Sequence, residues 1–225
     1  MNLLLTSAGF TNKSICNAFF DLVTAKFNKP LKDLNLVFIP TAANADPGDK
    51  DWLLDDMKRT NDLGFKEFDV LDFTGVPKDI WEQRIRKAEI LMFGGGNTFH
   101  LMYSIEKTGM RESLNEIISD KIYVGISAGS MIASENVALS QSARMYSESV
   151  GEITNDKGMG WVPFYIRPHL NSHHFPNVRI PQIEEQAKNL NGPVYALDDN
   201  SALVITDTET KVVSEGEWQL IKPHS

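Results

Sequence analysis

A single cysteine, Cys16, occurs in 225 residues, which excludes an internal disulfide framework and fits a reducing compartment. It stands among Ile15, Ala18, Phe19 and Phe20, on the apolar side of a helical pattern, and reads as packing rather than as a nucleophile. Basic residues are also in short supply. Lys and Arg total 22 against 30 Asp and Glu, a net charge of −8, so no basic stripe is available to replace phosphate counterions and a nucleic-acid partner is not expected. Apolar runs stay strand-sized, which argues against a membrane partner. Met1-Asn2-Leu3-Leu4-Leu5 lacks the basic and apolar regions of a secretory signal, and a cytoplasmic location is expected. Internal repeats and low-complexity tracts are missing too. The remainder, 42% hydrophobic and 23% charged, is average for a soluble protein of one domain, residues 1–225, and no cofactor is called for.

Strand and helix patterns alternate from the start. Leu3 to Thr6 is a short apolar run expected as a buried strand, and Asn12 caps a helix over Lys13 to Phe27, where Ile15, Ala18, Phe19, Leu22 and Val23 recur at helical spacing. Leu34 to Ile39 is a second strand, Asp51 to Leu63 a helix stopped by Gly64, Phe65 to Leu71 a third strand, and Pro77 to Lys87 a further helix. Ala88 to Phe93 and Lys121 to Ile126 are strands separated by the helical stretches after Thr98 and from Met110. This order predicts an α/β fold with a mostly parallel sheet covered on both faces, and ligands in such folds gather outside the carboxyl ends of the strands. Trp161 to Leu170 reads as a strand, Val178 to Leu190 as a helix, Val194 to Leu197 as a strand, and Ala202 to Thr206 with Lys211 to Leu220 as hairpin-like pieces. Glu135 to Lys157 shows no clear periodicity and reads as a flap near the site.

The chain is organised around Lys121 to Met131, where an apolar strand enters a small-residue turn and then a helix. Its centre, Gly125-Ile126-Ser127-Ala128-Gly129, is G-x-S-x-G. A serine on such a turn projects above the sheet edge, and small neighbours avoid collision with a substrate or the adjoining strand. The helix start leaves the Ala128 amide free to stabilise an oxyanion on a carbonyl attacked by Ser127. The alternative is a tight packing corner with a buried serine. Gly94-Gly95-Gly96-Asn97-Thr98 forms a second small-residue turn after a strand. It satisfies neither G-x-G-x-x-G nor the phosphate-loop pattern, which leaves a second oxyanion donor or an ordinary tight turn ahead of a nucleotide site. His100 behind it reads as a surface or packing histidine.

A nucleophilic serine needs a base and a carboxylate that orients it. His169, His173 and His174 lie within six residues. His169 follows a strand and the stiffening Pro168, and is expected at the same sheet edge as Ser127. Asp198 and Asp199 both follow a strand. A metal site is the rival, since His169 and His173 would share a helix face. Pro168 and Asn171-Ser172 argue against a helix there, no H-E-x-x-H is present, and no metal is expected.

Taken together, Gly94-Gly95-Gly96-Asn97-Thr98-Phe99, Gly125-Ile126-Ser127-Ala128-Gly129-Ser130 and Pro168-His169, in this order, resemble the peptidase E (aspartyl dipeptidase) family of serine peptidases, with cyanophycinases as more distant relatives. The resemblance covers essentially the whole chain. It implies a three-layer sandwich similar to the class I glutamine amidotransferases, with serine in place of cysteine. By position it implies Ser127 as nucleophile, His169 as base, Asp199 as the acid, and Gly96 and Ala128 as oxyanion donors. Asn97 and Arg179 become the substrate-binding candidates, Arg179 for a substrate carboxylate. The chain departs from some members at Gln141-Ser142-Ala143-Arg144, where an alternative acid is absent, and around Val178-Arg179-Ile180-Pro181. The implied activity is hydrolysis of short peptides, foremost dipeptides beginning with aspartate. A β-aspartyl or amide hydrolase and a non-catalytic peptide-binding or sensing protein are the alternatives. A small peptide is the expected partner, and a homodimer is left open.

Overall fold

The computed structural model describes residues 1–45, 47–148 and 155–222. The elements follow one another as β1 (Asn2–Thr6), α1 (Lys13–Phe27), β2 (Asn35–Ile39), α2 (Asp51–Asn61), β3 (Glu67–Val70), α3 (Lys78–Lys87), β4 (Ile90–Phe93), α4 (Thr98–Thr108), α5 (Met110–Ile117), β5 (Ile122–Ile126), α6 (Ala128–Met131), α7 (Leu139–Tyr146), β6 (Tyr165–Arg167), α8 (Ile180–Ala187), β7 (Val194–Leu197), β8 (Ser201–Ile205), β9 (Thr210–Ser214) and β10 (Trp218–Ile221). Among the described residues no helix is long and apolar enough to cross a membrane.

Seven strands form the central sheet in the order β3-β2-β4-β5-β1-β8-β9. The first five are mutually parallel, and β8 and β9 add an antiparallel edge. Successive strand residues point to opposite faces, and both faces are covered. Leu3, Leu5, Val37, Phe93 and Tyr123 pack with Trp81, Ile85, Leu101 and Leu114 from α3 to α5. Leu4, Leu36, Phe38, Met92 and Val124 pack with Ile15, Phe19 and Leu22 of α1 on the other side. This explains why β1, β2, β4 and β5 read as unbroken apolar runs. Burying a side chain such as Phe19 is worth roughly 1.5–3 kcal/mol. The α/β three-layer architecture with a mostly parallel sheet is therefore borne out. Asn12 caps α1 as the sequence predicts, its side chain accepting the Ile15 N–H.

A second sheet departs from expectation. β10, β7 and β6 form a separate three-stranded sheet, with its own core of Tyr165, Val194, Ala196 and Ile221 against Ile183 and Ala187 of α8. The strand expected over Trp161 to Leu170 shrinks to β6 because Pro163 and Pro168 flank it and lack the donor a ladder needs. The Trp161 and Val162 amides go instead to the Ala133 carbonyl behind α6. Lys211 to Leu220 divides between the two sheets: β9 pairs with β8 and β10 with β7.

In the expected flap, the described part is ordered into α7 and a bridge between Asn136 and Lys157. Residues 149–154 of it lie outside the described residues. α7 is eight residues long between left-handed Ala138 and Ser147, too short for its periodicity to stand out.

Candidate active site

β5, the middle strand of the main sheet, delivers Ser127. The serine adopts φ 49° and ψ −107°, a region that non-glycine residues rarely occupy and that clusters at functional positions. The bend is fastened by the Ser127 N–H on the Thr6 carbonyl at 3.1 Å and by the Ser130 hydroxyl on the same carbonyl at 2.7 Å. The two elbow glycines are required by the neighbouring backbone. A Cβ on Gly129 would stand 2.1 Å from the Phe93 carbonyl oxygen, and one on Gly125 2.7 Å from the Gly129 backbone. Ala128 is buried at the head of α6, where helix geometry leaves its amide without an intrahelical acceptor.

His169 reaches Ser127 from the small sheet. It follows β6 rather than a strand of the main sheet, which corrects the expectation of a shared edge. Its backbone, at φ 63°, turns the imidazole across the gap, so that Nε2 lies 2.8 Å from Ser127 Oγ and Nδ1 donates to Asp199 Oδ1 at 2.6 Å. Phe175 stacks on the imidazole at 4.4 Å between centroids, and Tyr146 meets it edge-on at 6.5 Å.

Asp199 lies on the crossover from β7 of the small sheet to β8 of the main one. Its neighbour Asp198 is already employed, accepting the Asn200 N–H at 3.0 Å, the Ser201 hydroxyl at 2.5 Å and the Glu217 N–H at 2.6 Å. Asp199 is held by residues that the sequence reading passed over. The Thr11 hydroxyl donates to its backbone carbonyl at 2.8 Å, and the Ser7 hydroxyl to its carboxylate at 3.2 Å while accepting the His169 N–H at 2.8 Å. Burial alone would raise the Asp199 carboxyl. Hydrogen bonds from His169, Ser7 and Ser172 and the charge of His169 outweigh it, and the carboxyl stays below its ordinary range. The available signal for Ser7 was its position at the carboxyl end of a buried parallel strand.

These groups open into a cavity of about 670 Å³ lined by Ser127, His169, Asp199, Gly95 and Gly96, among others. Gly96 has φ +126°, and a Cβ there would stand 2.4 Å from the Ala42 carbonyl. The adjoining ladder bonds run from Gly94 N–H to Ile39 and from Asn97 N–H to Ala42, and Gly95 and Gly96 between them face the cavity. Asn97 itself is 1% exposed, and its side-chain oxygen accepts the Phe99 and His100 amides. It caps α4, and the residues that line the cavity beside it are Gly95 and Gly96.

Arg179 is likewise engaged with backbone. Its guanidinium donates to the carbonyls of Ser172, Phe175 and Val178 at 2.9–3.1 Å, and it does not line the cavity. A guanidinium placed among three carbonyls is fastening a loop. That loop carries Phe175, the ring stacked on His169. His173 and His174 lie side by side, their centroids 3.7 Å apart, while His169 is engaged with Ser127 and Asp199. Among the described residues no group of three or more His, Cys, Asp or Glu is arranged to hold a metal.

The model of peptidase family S51 matches residues 3–213. The chain belongs to peptidase family S51. An uncharacterized peptidase of Listeria innocua is 27% identical over 208 residues, covering 88% of this chain and 94% of the relative. Peptidase E of a Nostoc species is 28% identical over 167 residues, 72% of this chain and 65% of the relative. A crystal structure from Listeria monocytogenes superposes with a TM-score of 0.77 at 26% identity, covering 96% of this chain and 98% of that one. The resemblance to peptidase E is thus borne out, and the chain is a serine-type peptidase.

In this S51 peptidase one wall of the cavity is contributed by α2. Trp52, Asp55, Asp56 and Arg59 line the cavity at the spacing i, i+3, i+4, i+7 that defines one helix face. Asp56 is 7% exposed and accepts from Arg59 Nη2 at 2.7 Å. Burial pushes its carboxyl up to about 6, against the opposing pull of Arg59 and His169. The sequence places a helix over Asp51 to Leu63 and assigns none of its residues to the site.

Proposed function

We propose that this S51 peptidase is an exopeptidase acting on short peptides, foremost dipeptides with N-terminal aspartate, through an acyl-enzyme on Ser127. The observation that carries the reading is the continuous chain Ser127 Oγ to His169 Nε2 at 2.8 Å and His169 Nδ1 to Asp199 at 2.6 Å. Ser127 Oγ forms a bond to the substrate carbonyl carbon as its proton passes to Nε2. The carbonyl π electrons move to oxygen, where the amides of Ala128 and Gly96 would receive the charge. Collapse of this intermediate breaks the C–N bond, and His169 returns the proton to the leaving amine. Water then repeats the sequence on the ester and frees Ser127. Asp199 keeps Nδ1 protonated and offsets the imidazolium charge.

The strained serine backbone and the concave cavity onto which Ser127 opens favour catalysis over a packing role for the elbow. The test is hydrolysis of Asp-X dipeptides beside Glu-X, Ala-X and N-blocked Asp-X by wild type and Ser127→Ala. Cleavage of free Asp-X, lost by several orders of magnitude in Ser127→Ala, is the expected result. Near-full activity in the variant would overturn the mechanism. Failure to cleave any dipeptide, with turnover of β-aspartyl peptides or simple amides, would replace the substrate.

A further inference from the structure

The cavity wall contributed by α2 has no role in the proton relay, yet it is an unusual surface to place there. A helix laid on a covered sheet normally turns its apolar stripe inward. Leu53 and Met57 turn inward here, but the neighbouring face turned to the cavity carries Asp55, Asp56 and Arg59, and of these Asp56 is buried while Asp55 and Arg59 are exposed.

Two close approaches fix where this stripe lies relative to the chemistry. A Cβ on Gly9 would stand 3.2 Å from Asp56 Oδ1 and 3.3 Å from Ile126 Cδ1, so Asp56 is packed near the residue that precedes Ser127. A Cβ on Gly95 would lie 3.4 Å from the Ser127 Cβ and 3.6 Å from Trp52. The helix therefore passes both the glycine-rich turn and the end of β5, and Asp56 and Arg59 share one cavity with Ser127.

With Arg179 committed to carbonyls of its own loop, recognition of a charged substrate falls to other groups. Asp56 and Arg59 offer both signs of charge one hydrogen bond apart. A free N-terminal aspartyl residue carries the matching pair, an α-ammonium and a side-chain carboxylate attached to adjacent carbons. We infer that the Asp56–Arg59 pair is the subsite for the substrate's first residue, Asp56 taking the α-ammonium and Arg59 the acidic side chain. This inference rests on the peptidase reading of the same cavity.

The physical logic is one of exchange. In the free enzyme the two side chains satisfy each other, which avoids leaving a buried carboxylate alone. On binding, one internal ion pair is replaced by two pairs with the substrate. An N-blocked peptide offers no cation to Asp56, and an alanyl peptide offers no anion to Arg59, so each leaves a desolvated charge poorly matched. Sites built around such polar partners reject analogues that lack them. The strong upward push of burial on the Asp56 carboxyl is consistent with a charge that one guanidinium compensates incompletely.

Calorimetric titration of Ser127→Ala protein with Asp-Ala, N-acetyl-Asp-Ala and Ala-Ala tests this without turnover. Asp-Ala is expected to bind at least roughly 10-fold more tightly than either analogue. Adding Asp56→Asn is expected to abolish the preference for the free N-terminus, and adding Arg59→Gln the preference for aspartate. Arg59→Lys should restore the second preference in part. Arg59 is partly exposed, so its variants test the pair independently of Asp56→Asn, and a melting curve reports that each variant is folded. Unchanged preferences in folded variants, or no binding of Asp-Ala, would overturn the subsite. Wild type that binds with these preferences but cleaves nothing would sink the acyl-enzyme reading and leave the subsite standing. Cleavage with preferences indifferent to both residues would do the reverse.

Discussion

The Ser7 hydroxyl accepts the backbone N–H of His169 at 2.8 Å, across 162 positions of sequence. It also donates to Asp199. One hydroxyl at the end of β1 thereby ties the main sheet, which carries Ser127, to the small sheet, which carries the imidazole. Ser7→Ala removes both bonds and leaves the His169 ring less well aimed. We expect kcat to fall roughly 10- to 100-fold, the scale of a small misplacement of a reacting group, with KM little changed. Steady-state kinetics on a cleaved dipeptide check this.

Asp198 and Asp199 should separate cleanly. Asp199→Asn leaves an amide opposite His169 Nδ1 and favours the wrong tautomer, with a loss on the order of 10⁴ in kcat. Asp198→Asn should instead lower the melting temperature, since Asp198 accepts bonds from Asn200, Ser201 and Glu217, and leave kcat per folded molecule near wild type. Equal losses of activity in both would contradict the assignment.

Asp56 is expected to cost stability at neutral pH. Its folded carboxyl is pushed up to about 6 by burial, above the ~3.9 of an exposed aspartate. Below about pH 4 both states hold the proton and no penalty arises. Between about pH 4 and 6 the unfolded chain gives up the proton that the folded protein still holds, so the penalty grows to roughly 3 kcal/mol and levels off above about pH 6. Asp56→Asn should therefore melt above wild type at pH 7, with the gap closing toward pH 4. A pH-independent difference would be incompatible with this account.

Arg179→Ala should act through the loop it fastens. Three carbonyl contacts are lost, so the melting temperature is expected to fall, and kcat with it, because Phe175 supports the His169 ring. The ratio of Asp-X to Ala-X turnover should not change. A selective loss of Asp-X cleavage would return Arg179 to the substrate.

Gly129→Ala tests the elbow's packing. Its Cβ would stand 2.1 Å from the Phe93 carbonyl, against rigid backbone on the neighbouring strand, and overpacking of this kind costs about 1–3 kcal/mol or more. Urea denaturation should show the loss directly, with Gly75→Ala, whose Cβ would meet only the Asp72 carbonyl at 3.7 Å, as the tolerant control.

Legibility varied with the range of the interactions involved. α1 was readable to its ends because its cap at Asn12, its apolar spacing and the stop signal of Pro30 are all local, and the structure closes the helix at left-handed Asn28. The same holds for β7, whose four residues end at the acidic turn. Trp161 to Leu170 misled because its residues are apolar enough for a strand, while Pro163, Pro168 and the pull of Ala133 on the Trp161 amide decide otherwise. Asn97 and Arg179 were read from a motif and a family position, neither of which reveals what a side chain is already bonded to.

By itself the sequence determined the family, the parallel α/β sheet and the G-x-S-x-G elbow. Strand periodicity, two-sided burial and steric demands on glycine act between close neighbours along a strand or turn and leave their mark in residue order. Tertiary structure alone decided that His169 and Asp199 come from the edge of a second sheet and that Ser7 ties both to the main one. Those outcomes rest on hydrogen bonds between residues 30 to 192 positions apart. A polar side chain's role there is set by which partner reaches it in space, and spacing along the chain carries no record of that.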